Sequence, residues 1–151
     1  IFMRQTGDSL IATLDDQKLL CLNNMHVLVP KSDIQEVDLK CILGIINSKL
    51  LNWIYQNRNP EKGEALAEVK KTNVAQLPIK TLNEIPKNTK DEISSLVDQL
   101  LKTNKLMSTA NIPAQIDQLK SRIDFLRKKV DFLVYQLYDL DHEEINQIEI
   151  G

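Results

Sequence analysis

Residues 38–56 run DLKCILGIINSKLLNWIYQ, and within them the hydrophobic period of the chain changes. Leu39, Ile42, Leu43, Ile46, Leu50, Trp53 and Ile54 recur at helical spacing, which predicts one helix from about 38 to 56 with Asp38 as its N-cap. Gly44 inside a helix costs about 1 kcal/mol relative to Ala, so a glycine there points to close packing against a neighbour.

Upstream the pattern is of strands. Ile1-Phe2-Met3 and Leu10-Ile11-Ala12-Thr13-Leu14 flank the turn-like Gly7-Asp8-Ser9. Lys18 to Leu22 and Met25 to Val29 form two more short apolar runs, parted by Asn23-Asn24 and closed by Pro30. Short runs with turn signals between them predict an antiparallel meander. Downstream, a polar and basic stretch from Gln56 to Gly63 is followed by Ala65 to Lys70, which is expected to return to the sheet. Residues 72 to 88 contain Pro78 and Pro86 and read as an ordered connection with little regular structure.

The last third is helical. Thr89 and Glu92 fit a capping box, and Ile93, Val97, Leu100 and Met107 form an apolar stripe that also contains Asn104, a residue able to set register. After a short link, Pro113 opens a second helix. Its residues Ile116, Leu119, Ile123, Leu126, Val130, Leu133, Leu137 and Leu140 alternate steps of three and four, a coiled-coil seam, and Phe125 and Phe132 are read as widening it. About 25 residues of helix span roughly 37 Å. The brief link favours an antiparallel hairpin with the preceding helix over docking onto a partner. Asp141 and Glu144 then cap a short terminal helix. The expected fold is α+β: a small antiparallel or mixed sheet lobe with a packed helix over 1–88, then a coiled-coil-like antiparallel helical hairpin and a terminal helix over 89–151.

Composition narrows the function. The 151 residues carry 19 Lys+Arg and 21 Asp+Glu, a net charge of −2, which excludes a uniformly basic nucleic-acid coat. The charges are nevertheless segregated. Residues 44–80 hold six cations and three acids, while residues 131–151 hold six acids and no Lys or Arg, so the tail helix is expected to face away from any anionic partner. No segment is apolar enough to span a membrane, and Arg4 and Asp8 interrupt the only apolar stretch near the start. Two cysteines, Cys21 and Cys41, fit core thiols in a reduced, cytoplasmic setting. The four glycines lie too far apart for a phosphate-binding loop, and Ile1 opens inside an apolar pattern, so the chain reads as part of something longer.

The candidate site residues are polar and basic. Arg and Lys neutralise phosphates or fork onto guanine, and Asn or Gln pairs with adenine edges. By charge and position the candidates for contacting DNA are Arg4, Gln5, Asn23, Asn57, Arg58, Lys62, Lys70 and Lys71. A rival reading takes Glu68-Val69-Lys70 with Glu61 as the acidic-x-Lys signature of a metal-dependent nuclease. A third treats the heptad helix as a protein-interaction module, with helix-mediated self-association. His26 is expected to be a structural strand-face residue and His142 to be solvent-exposed. With the two cysteines they lack metal-ligand spacing.

One family unites these features. Arg4-Gln5-Thr6-Gly7, Leu22-Asn23-Asn24-Met25-His26, the block from Leu43 to Asn52, Glu64 to Lys70, Leu77-Pro78-Ile79, and Leu133-Val134-Tyr135-Gln136-Leu137-Tyr138 occur in the order seen in it. Together they resemble the C-terminal target-recognition domain of TaqI-like, type IIG restriction–modification enzymes, which are DNA adenine methyltransferases often fused to an endonuclease. Type I specificity subunits are similar in plan. The resemblance implies double-stranded DNA as the partner and an upstream methyltransferase domain in the same chain. That domain would bind S-adenosylmethionine and flip the target adenine, and a fused nuclease would add magnesium. The catalytic Asn-Pro-Pro-aromatic motif is absent here, the nearest string being Asn59-Pro60-Glu61-Lys62. The resemblance therefore implies a chain that neither methylates nor cuts and holds no cofactor or metal.

Overall fold

The structure, a computed structural model, describes residues 1–30, 34–59, 61–64 and 67–151. Among the described residues, three short strands, β1 (Phe2–Arg4), β2 (Ala12–Thr13) and β3 (Met25–Val27), precede six helices. These are α1 (Glu36–Ile46), α2 (Lys49–Arg58), α3 (Lys71–Val74), α4 (Lys87–Thr109), α5 (Pro113–Leu137) and α6 (His142–Ile150). The α+β reading holds, with corrections in its parts.

The sheet is antiparallel but not a meander. Its order is β2-β1-β3, with the first strand in the centre, Met3 opposite Ala12 on one side and His26 on the other. The expected strand at Lys18–Leu22 is a loop. Asp15 accepts the backbone N–H groups of Gln17 and Leu19, and Lys18 takes φ 55°, so the run curls instead of pairing. Leu19, Leu20 and Leu22 are exposed there, and Cys21 is half-buried, not a core thiol. The expected return of Ala65–Lys70 to the sheet is a single bridge, Thr6 to Glu68. Residues 65 and 66 lie outside the described residues.

The helix expected over 38–56 is two. Ser48 is extended (φ −65°, ψ 155°) and caps α2, its hydroxyl accepting from Leu51 N. Asp38 is not the N-cap of α1: Gln35 is, and Asp38 at the third helical position accepts from Gln35 N at 3.3 Å. Likewise α4 starts at Lys87 behind Pro86, so Thr89 lies inside its first turn instead of capping it. The proline's fixed φ, −55° here, presets the entry to the helix. Asp141 and Glu144 do form the capping box of α6.

Along α5 the seam residues Ile123, Leu126, Val130 and Leu137 are buried against α4, forming the expected hairpin. Phe125 and Phe132 do not widen the seam: both are more than half exposed on its outer flank. Asn104 is also exposed and donates to Leu100 O of its own helix, so it sets no register across the hairpin.

α1 closes the layer by crossing the hairpin. At Gly44 a Cβ would lie 2.7 Å from Ile93 Cγ2, 3.0 Å from Val97 Cγ2 and 3.5 Å from Val130 Cγ1. Ion pairs flank this contact: Lys90 to Asp38 at 2.7 Å, and Lys40 to Asp98 at 2.8 Å. One buried cluster then runs from Met3 and Leu10 through α1 and α2 to Val134 and Ile148. The break between α1 and α2 also serves the sheet. Asn47 accepts Ala12 N and donates to Ala12 O, and Asn52 accepts Leu10 N, so side-chain amides satisfy the outer edge of β2.

Three outcomes follow from this packing. Gly44→Ala should destabilise the protein by roughly 1–2 kcal/mol despite the helix propensity gained, because the methyls it meets belong to β-branched helix residues that cannot swing aside. Thermal unfolding checks this, and a raised Tm would contradict it. Burial pushes the Cys41 thiol up to about 11, so Ellman's reagent should label Cys21 quickly and Cys41 only on unfolding. The Lys90 ammonium holds the Asp38 carboxyl below its ordinary value of 3.8. A depressed folded value stabilises above the unfolded one, and that stability is lost as pH falls through the folded value. Asp38→Asn should therefore lower Tm at pH 7 and shrink the difference from the native protein below about pH 3.8.

Candidate nucleic-acid interface

The end of the lobe where β1 stops is built from three segments held by their backbones. Gln5 N donates to Asn24 O, Val69 N donates to Gln5 O at 2.6 Å, and Gly7 N donates to Ala67 O. His26 adds a side-chain tie from Nε2 to Val69 O, the structural role expected of it. Two glycines make the bends: Gly7 at φ +111° and Gly63 at φ +81°, with Gly63 N donating to Asp8 Oδ2. The segments that carry Arg4, Gln5, Asn23, Lys70 and Lys71 are thereby tied together in one rim of the lobe, and Lys62 adjoins it at the Gly63 turn.

Arg4 is set against the turn. Its guanidinium lies over Gly7, whose φ of +111° is what demands glycine there. The Nε of Arg4 is buried with no hydrogen-bond partner among the described residues. Such a donor is costly to leave unpaired. Asn23 is exposed at the turn before β3. Lys62 and Lys71 are exposed and make no ion pair among the described residues.

Asn57 and Arg58 are exposed at the C-terminal end of α2. Asn57 donates to Trp53 O of its own helix, and Arg58 donates from Nη1 to Gln76 O beyond α3. Both make bonds that shape the scaffold.

Residues 61–64 and 67–70 are held by side chains that polarity alone did not single out. Tyr55, 1% exposed, donates from its hydroxyl to Glu68 O and accepts from Asn59 Nδ2. Asn59, also buried, accepts Glu61 N. Glu61 then uses both carboxylate oxygens: Oε2 accepts Glu68 N at 3.0 Å, and Oε1 takes the Lys70 ammonium. Lys70 holds the Glu61 carboxyl below the usual range, and Glu61 raises the Lys70 ammonium in return. The i, i+4 spacing of Tyr55 and Asn59 was the available signal.

The metal-dependent nuclease reading gains nothing from this arrangement. Glu61 is engaged by Glu68 N and Lys70, and among the described residues no cluster of three or more His, Cys, Asp or Glu side chains could hold a metal ion. The acidic tail does not simply face away from the basic segment either. α6 packs on α2, and Lys49 pairs with Glu149 at 2.6 Å. The rim at β1 nevertheless lies by the other end of α2, beyond Arg58.

Compared with known protein families, residues 1–79 match the TaqI-like C-terminal specificity domain. No curated protein and no solved structure matches the chain. The match covers just over half of the chain, including all three strands and the rim described above; the protein belongs to the family of TaqI-like C-terminal specificity domains, the DNA-recognition domains of restriction–modification enzymes.

Proposed function

We propose that the chain reads a short double-stranded DNA sequence for a type IIG enzyme, with Arg4, Gln5, Asn23, Lys62, Lys70 and Lys71 at the rim as the contacting residues. In this reading the lobe over 1–88 enters the major groove and the helices over 89–151 stiffen it. An upstream adenine methyltransferase domain binds S-adenosylmethionine and does the chemistry, in the cytoplasm, while this chain neither methylates nor cuts. Magnesium is needed only if a nuclease domain is fused as well. Asn57 and Arg58 contribute by holding α2 and α3 in place.

The observation that supports the reading best is the match of residues 1–79 to a specificity domain, within which Lys62 and Lys71 are exposed and have no acidic partner among the described residues. Exposed lysines neutralise phosphates, and the forked guanidinium of Arg4 is the group suited to a base edge. Fluorescence anisotropy on mixed duplexes should show affinity falling with salt at a log–log slope of roughly −2 to −4, about −0.9 for each phosphate contact. Lys71→Ala should weaken binding uniformly and flatten the slope by about 1, whereas Arg4→Ala should erode discrimination between sequences. Absence of binding at low salt would overturn the proposal.

A further inference from the structure

Lys70 differs from the other lysines of the rim in already holding an anion. Its side chain is half exposed, at 50%, and Glu61 beside it is 23% exposed, so the pair faces solvent at the mouth of the site. Glu61 is not free to leave: Glu68 N binds its other oxygen, and its own backbone N–H is bound to buried Asn59. The carboxylate is thus a fixed feature of the loop, while the lysine is a flexible stem that can swing away from it.

We infer that Glu61 gates Lys70, its carboxylate occupying the ammonium in the place of a DNA phosphate, and so lowers affinity for DNA that does not seat the loop closely. The inference rests on the DNA-recognition reading of the rim. Three physical arguments carry it. Non-specific association is almost wholly electrostatic, so a lysine neutralised within the protein is withdrawn from it. An exposed pair is weak, so a phosphate brought into contact can exchange for the carboxylate. A fixed negative charge near the phosphate path also repels any backbone that approaches out of register, which is discrimination by an unfavourable element.

The test is binding of a random-sequence duplex by four proteins: the native protein, Glu61→Gln, Lys70→Ala and the double variant. The amide introduced by Glu61→Gln keeps an acceptor for Glu68 N, so the loop should stay in place, and an unchanged Tm verifies that. Glu61→Gln should tighten binding about two- to fivefold and steepen the salt slope, and the gain should vanish when Lys70→Ala is added. A bracing role alone would leave affinity unchanged or lower it. If the native protein binds and Glu61→Gln binds no better, or if the gain survives without Lys70, the gate is wrong while DNA recognition stands. If no variant binds at low salt, both fall.

Discussion

The close approach of α1 to the helical hairpin at Gly44 governs what the rest of the chain can do. With no side chain there, the α1 backbone settles onto Ile93, Val97 and Val130, so three helices meet at one point. This fixes where α1 ends, and Asn47 lands against the outer edge of β2, where its amide pairs with both backbone groups of Ala12. Ser48 restarts the helix in a new direction, and α2 carries Tyr55 to the loop that shapes the candidate DNA-contacting rim. The path from a packing contact in the core to the presentation of Lys70 is therefore one continuous set of bonds.

That path gives each residue from Leu43 to Asn52 a structural task. Gly44 makes the crossing, Leu43, Ile45, Ile46, Leu50 and Leu51 fill the core, Asn47 and Asn52 hold the first hairpin, and Ser48 caps a helix. None of these is among the candidate DNA contacts. The residues that could read bases stand instead on turns and strand ends, which tolerate exchange because they support little else.

Electrostatics follows the same division. Of the six cations between 44 and 80, Lys49 is paired with Glu149, Lys70 with Glu61, Lys80 lies over the Tyr138 ring at 5.5 Å, and Arg58 binds a backbone carbonyl. Lys62 and Lys71 remain without an acid among the described residues. The acidic tail thus does structural work. Glu149, held below the usual carboxylate range by Lys49 and then by the Tyr135 hydroxyl, ties α6 to α2 and α5. Asp131 caps the start of α2 by accepting Lys49 N, and burial pushes its carboxyl up. A net charge near zero accordingly says little about the rim itself.

The helices of the last third were legible in the sequence because their signals are local. The three-four alternation of α5, Pro113 at its start and the Asp141–Glu144 box each act within a few residues, and each appears where it was read. The close contact at Gly44 was legible too, since a glycine inside a helix has a cost that only packing offsets. What the sequence could not decide depended on distant partners. The order of three short strands is set by which neighbours β1 finds, and the break at Asn47–Ser48 is matched to the edge of β2. The rim depends most on tertiary structure. Lys70 and Lys62 look alike in sequence, and only the placement of Glu61 by Tyr55 and Asn59 makes one a paired charge and the other an open one.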